Sequence, residues 1–151
     1  MAESTFDIQV FNQTDAPLPF DEHLLSDIAQ QIADHEECSF NFVEVVYVDE
    51  AKIIEINKEH LDRDYVTDII SFRYDDAETN DNIEGTLFCC APRIKEQAHE
   101  FDESEQREFL RIYIHGLLHL VGYDDQSQET KEQMTGKENF YLHKIEDLLS
   151  S

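Results

Sequence analysis

Basic residues are scarce in this chain: 11 Lys and Arg stand against 35 Asp and Glu, a formal net charge of −24 at pH 7, and none precedes Lys52. Such a surface repels polyanions on average, so any nucleic-acid contact requires a locally positive cleft rather than a broad basic face. The cations do gather, with Lys52, Lys58, Arg63 and Arg73 in one segment and Arg93, Lys95, Arg107 and Arg111 in the next. Cysteine is also rare. An odd set of three, Cys38, Cys89 and Cys90, closes no disulfide framework, and the absence of a Cys-x-x-Cys spacing removes the usual thiolate metal site. Long apolar runs are missing too. The stretches Ile112 to Ile114 and Leu117 to Val121 are interrupted by His or Gly and fall far short of the roughly 20 residues of a membrane span. The opening MAESTFDIQV has neither the basic nor the apolar part of a signal peptide. A cytoplasmic protein with reduced thiols and no membrane partner is expected.

What is present suits one folded unit. With 151 residues, 40% hydrophobic and 11% aromatic, the chain can bury enough apolar surface to offset its entropy, and a single domain over 1–151 is expected. Phe6 to Val10 alternates with period two and reads as a strand; Leu24, Leu25, Ile28 and Ile32 recur at helical spacing; Phe42 to Val48 is β-branched and aromatic. Asp49 is placed to cap a helix through Ile53, Ile54 and Ile56 that fades by Leu61. Two short strands, Asp68 to Phe72 and Thr86 to Cys90, flank a polar loop from Asp75 to Asn82, with Gly85 marking a bulge or turn. Helical patterns follow from Arg93, then through Phe109 to Leu120 with a stop at Gly122, then from Gln126 to Leu149 with a break expected at Gly136. The sum is an α+β fold.

The chemistry concentrates in the run from Ile114 to Asp125. His115 and His119 are four apart, about 40° around a helix and one turn along it, so both imidazoles project toward a common point. Gly122 can turn the chain, and Asp125 can return a carboxylate to the same point, giving His-x3-His-x5-Asp. Three protein ligands leave one tetrahedral position for water, the arrangement of catalytic zinc, and the chemistry implied is hydrolysis. Blander readings exist: helical histidines four apart are common, and Asp125 with Gln128 also has the form of a capping box. The spacing matches that of metzincin proteases, but Gly116 occupies the place of their general-base Glu, which disfavours a peptidase.

The segment from His115 to Asp124 closely resembles the YbeY family of bacterial endoribonucleases, whose motif reads His-Gly-x-Leu-His-Leu-x-Gly-Tyr-Asp-His. Asn57, the stretch Thr67-Asp68-Ile69-Ile70-Ser71-Phe72, and Glu84-Gly85-Thr86-Leu87 are similar to further parts of that family. The resemblance implies a zincin-like single domain, with about four strands in a mixed sheet packed with helices and the metal ligands on a central helix. It also implies one zinc ion per chain and single-strand-specific cleavage in ribosomal RNA maturation, including the 3′ end of the small-subunit RNA, and in ribosome quality control. His115 and His119 match the family's first two ligands, and Asp125 stands in place of the third histidine. Leu61 stands where the family carries an Arg thought to act at the RNA phosphate, and Arg63 is the nearby substitute; Thr86 replaces the Asp of a Gly-Asp pair.

The residues leave three functions open. The first is a metal-dependent endoribonuclease whose partners are ribosomal RNA and the ribosome. The second is an assembly factor that docks on basic ribosomal proteins with little catalysis, which the acidity favours. The third is a metal hydrolase acting on another phosphoester or amide. His99 and His143 are candidate general acids, although each also reads as an exposed helical histidine.

Overall fold

The computed structural model describes residues 7–61, 66–74, 82–124 and 126–149. In chain order the elements are β1 (Ile8–Asn12), α1 (His23–Glu36), β2 (Ser39–Val48), α2 (Glu50–Leu61), β3 (Ile69–Arg73), β4 (Asn82–Cys90), α3 (Ala91–Glu100), α4 (Glu105–Val121) and α5 (Gln128–Leu149). The strands form one mixed sheet in the order β1-β2-β4-β3; β1, β2 and β4 run parallel, and β3 lies antiparallel to β4 at an edge.

Period-two alternation divides the central strands between two cores. Val43, Val45, Tyr47, Leu87 and Cys89 join the larger core with α1, α4 and α5, whereas Val46, Val48 and Cys90 meet Ile53 and Ile56 of α2 on the opposite face. Covering both faces explains why β2 and β4 are apolar nearly throughout, as parallel strands usually are. Cys89 and Cys90 are therefore buried on opposite sides of the sheet, as their adjacency predicts.

Local signals set the helix ends. Asp49 Oδ1 accepts from the Lys52 backbone N–H at 3.0 Å, the expected cap of α2, and Ser104 Oγ accepts from the Arg107 N–H at 3.1 Å to start α4. Asp125, a candidate cap of α5, lies outside the described residues, and the capping bonds described at this end are those of Ser127 and Thr130. Ser127 and Thr130 exchange bonds reciprocally: the Thr130 N–H donates to Ser127 Oγ at 3.1 Å, and the Ser127 N–H donates to Thr130 Oγ1 at 3.0 Å.

Three expectations are corrected. α5 passes through Gly136 without a break; no atom lies within 4 Å of where its β-carbon would be, so the position costs only the roughly 1 kcal/mol of an exposed helical glycine. Gly85 is not a bulge but a regular pair of Arg73, and the register irregularity falls in β2 between Phe40 and Phe42. β4 begins at Asn82, inside the expected loop, because Ser39 and Phe40 supply it with parallel partners. Phe6, placed in the first strand by its alternation, lies outside the described residues.

α4 is the central helix. Phe109, Tyr113, Ile114, Leu117 and Leu118 are essentially fully buried, and each large apolar side chain so placed contributes about 1.5–3 kcal/mol relative to exposure. This burial fixes the helix against the sheet and α5. The two histidines on its remaining stripe thereby gain a rigid base.

Candidate functional site

Burial of the apolar side of α4 leaves His115 and His119 facing a cleft of about 460 Å³ beside edge strand β3. Asn57 of α2, Asp68, Ser71 and Arg73 share its lining. The rings stand edge to face with centroids 4.5 Å apart, and the two Nε2 atoms are 3.0 Å from each other.

The outer nitrogens decide what that approach means. His119 Nδ1 lies 3.0 Å from the carbonyl oxygen of Tyr123, which can only accept, so Nδ1 carries a proton and, in the neutral ring, the lone pair is on Nε2. His115 Nδ1 lies 2.7 Å from Glu138 Oε2. The other oxygen of Glu138 accepts from Arg111 Nη1 at 3.1 Å, in an ion pair with the guanidinium. His115 Nδ1 therefore donates to Glu138, and in the neutral ring the lone pair is on Nε2. With both rings neutral, the two Nε2 lone pairs face each other across 3.0 Å and repel unless a proton or a metal ion lies between them. Two nitrogens bound tetrahedrally at 2.0–2.1 Å to one zinc ion would stand about 3.3 Å apart, close to the observed spacing. The donor set therefore fits a metal.

The turn after α4 creates the Tyr123 contact. Gly122 adopts φ 127°, a left-handed conformation that disfavours other residues, and its N–H and that of Tyr123 cap the last carbonyls of the helix. The Tyr123 hydroxyl then donates to Glu36 at 2.7 Å, where Tyr141 and Lys137 of α5 also donate, at 2.6 and 3.3 Å. Burial raises the Glu36 pKa, but these three donors outweigh it and hold the carboxyl below its ordinary value.

The predicted site residues fall into two groups. His115 and His119 are brought together, whereas Asp125 and Arg63 lie outside the described residues, as does the side chain of Leu61. Among the described residues no three His, Cys, Asp or Glu groups converge as a metal cluster. Neither His99 nor His143 lines the cleft; both are exposed, and His99 sits 3.7 Å from Glu105. Among the described residues the cation that lines it is Arg73, whose Nη1 donates to the Leu120 carbonyl at 2.7 Å. Thr86, where the family has Asp, is buried and accepts from the Tyr74 hydroxyl at 2.8 Å.

Gly116 also acquires a reason. A β-carbon there would stand 2.6 Å from Ile69 Cδ1 and 3.0 and 3.1 Å from the two Leu87 δ carbons. A peptidase-type Glu at this position would have to displace both side chains.

Glu138, Glu108 and Glu36 carry no motif in the sequence, and Arg111 stands there only as one of a group of cations. Glu138 does interrupt the buried stripe Met134, Tyr141, Leu142 and Ile145 at helical spacing, and a carboxylate on such a stripe needs a partner, which is the signal that marks it. The Tyr123 carbonyl carries no signal, because every residue has one.

Comparison with known proteins finds a matching family. The family described as Endoribonuclease YbeY matches residues 9–146. The Endoribonuclease YbeY of Chlorobium limicola is 38% identical over 140 residues, covering 93% of this chain and 94% of the relative. That of Chloroherpeton thalassium is 41% identical over 107 residues, 71% and 74% of the two chains. The solution structure of a Thermotoga maritima protein superimposes with a TM-score of 0.62 at 25% identity, covering 91% of this chain and 88% of the other.

Proposed function

The chain belongs to the YbeY endoribonuclease family, and from that premise we propose that it is a metal-dependent, single-strand-specific endoribonuclease of ribosomal RNA maturation and ribosome quality control. The observation that carries the reading is the pair of imidazoles whose Nε2 atoms face each other across 3.0 Å at the wall of a polar cleft. His115, His119 and Asp125 would hold one zinc ion. When bound, such an ion supplies Lewis acidity toward a phosphoryl oxygen and lowers the pKa of water.

The chain's own groups prepare the rest. Arg73 presents a guanidinium on the cleft wall, held by the Leu120 carbonyl, where a bridging phosphate would gain a charge-assisted hydrogen bond. Asn57 and Ser71 add polar groups beside it. The acidic remainder of the surface, at −24 overall, repels RNA that is not seated in this cleft and suits basic ribosomal proteins as docking partners. No described helix is long and apolar enough to cross a membrane, and the cytoplasm, where ribosomes are assembled, is the compartment that fits.

The test is cleavage of unstructured RNA at low salt by purified protein of measured metal content, beside His119→Ala. Loss of an outer partner of a metal ligand already costs about 10–100-fold, so loss of the ligand is expected to cost more than about 100-fold. Equal rates for the metal-replete wild type and a folded His119→Ala would overturn the nuclease reading. Metal binding with intact RNA would leave a hydrolase of another substrate, and ribosome association without turnover an assembly factor.

A further inference from the structure

Behind His115 lies a chain of charged groups that the hydrolytic reading does not use. Glu108 of α4 is 1% exposed and grips Arg111 with both oxygens, at 3.0 Å to Nε and 2.5 Å to Nη2. Arg111 reaches across to α5 with Nη1, to Glu138 Oε1 at 3.1 Å; Glu138 is 3% exposed and turns Oε2 to His115 Nδ1 at 2.7 Å. Burial works against the Arg111 charge, but the two carboxylates outweigh it and raise its pKa above the ordinary value. Glu138 Oε2 is a buried acceptor that needs a donor, and His115 Nδ1–H is that donor.

We infer that Glu138 is a positioning residue for His115: anchored by the Glu108–Arg111 fork, it keeps His115 in the Nδ1-protonated tautomer and aims Nε2 at His119 and the cleft. The inference rests on reading His115 as a metal ligand, but the tautomer itself is a property of the metal-free protein. Each oxygen of Glu138 has its own partner, so rotating the carboxylate toward Arg111 withdraws it from the ring. Glu138 therefore does not ligate the ion. Its bond to Nδ1 raises the electron density available at Nε2 and spares the metal the entropy of selecting one ring orientation.

The experiment uses two readouts on the full chain. Nitrogen-15 NMR of the metal-free protein reports the His115 tautomer at a pH where the ring is neutral, and zinc competition against a chelator reports affinity. Wild type is expected to show the Nδ1–H form and Glu138→Ala a mixture, with zinc affinity lower by about 10–100-fold. Glu138→Gln retains an acceptor oxygen and is expected to recover much of both. Should Glu138→Ala fail to fold, Glu138→Asp carries the test, because its shorter carboxylate withdraws from Nδ1 while keeping the charge beside Arg111; the expected loss is about tenfold. A folded Glu138→Ala or Glu138→Asp with wild-type tautomer and wild-type affinity would overturn the assignment. If wild type binds no zinc at all, the metal reading fails, and the tautomer comparison still decides the role of Glu138.

Discussion

Gly85 and Phe72 approach so closely across the β3–β4 pair that a β-carbon on Gly85 would stand 2.5 Å from the Phe72 carbonyl oxygen. The same carbon would meet Leu120 Cδ2 at 3.0 Å. Edge strand β3, its partner β4 and the end of α4 therefore meet at one point, and the Arg73 to Leu120 hydrogen bond crosses the same junction.

Gly85→Ala is expected to lower stability by about 1–3 kcal/mol, because the nearest obstacle is backbone and cannot rotate away. Urea unfolding of the purified variant, with a midpoint shifted down and a slope unchanged, checks this. A midpoint equal to wild type would mean that the edge strand yields without cost.

For Arg73→Gln, the expected effect on RNA cleavage is a KM higher by about 5–10-fold, the value of one charge-assisted hydrogen bond at a part-exposed site. Loss of one phosphate contact should also flatten the dependence of log affinity on log salt by about 0.7 for a single strand. Parallel titrations at several salt concentrations separate this from misfolding, which would leave no saturable binding.

Glu36 ties α1 to α5 and to Tyr123, and its carboxyl is held below the ordinary 4.5 by Tyr141, Tyr123 and Lys137 in spite of burial. A depressed folded-state value means that the ionised group adds stability above the ordinary carboxylate range, lost as the pH falls through the folded value. Glu36→Gln is expected to cost about 2–3 kcal/mol near pH 7, since two tyrosine hydroxyls and an ammonium lose a charged acceptor. The gap between the two proteins should narrow below about pH 4.5 in acid unfolding followed by circular dichroism.

The adjacent thiols offer a probe of the sheet. Burial, with nearby carboxylates, pushes Cys90 up to about 11, and burial with the Asp68 charge raises Cys89 as well. At pH 8 the Cys90 thiolate fraction is then about one in a thousand. Neither thiol should react with iodoacetamide in the folded protein, whereas both should react at once in denaturant, as mass spectrometry of the labelled peptides can show.

Much of this was legible before any coordinates. Apolar periodicity located each helix and strand, because burial on two sheet faces and one α4 face leaves a repeating trace in the order of residues. His115 and His119 were legible for the same reason, since helical geometry alone puts them on one stripe. What escaped was whatever depends on contacts between elements distant in the chain. Glu36 and Tyr123 are joined only when α1 packs beside α4, and the effect of Gly136 depended on whether its surroundings were open. The ends of β4 depended on partners in β2, which no local pattern at Asn82 announces.

The uninterrupted course of α5 through Gly136 has a mechanical implication. Lys137 and Tyr141 bear on one imidazole by way of Glu36 and Tyr123, and Glu138 on the other, so both rings take their bearing from a single rod that carries neither imidazole. One residue inserted just before Lys137 would swivel everything beyond it by about 100°. Both histidines would lose their alignment together, although every atom of the His115 and His119 side chains had been left untouched.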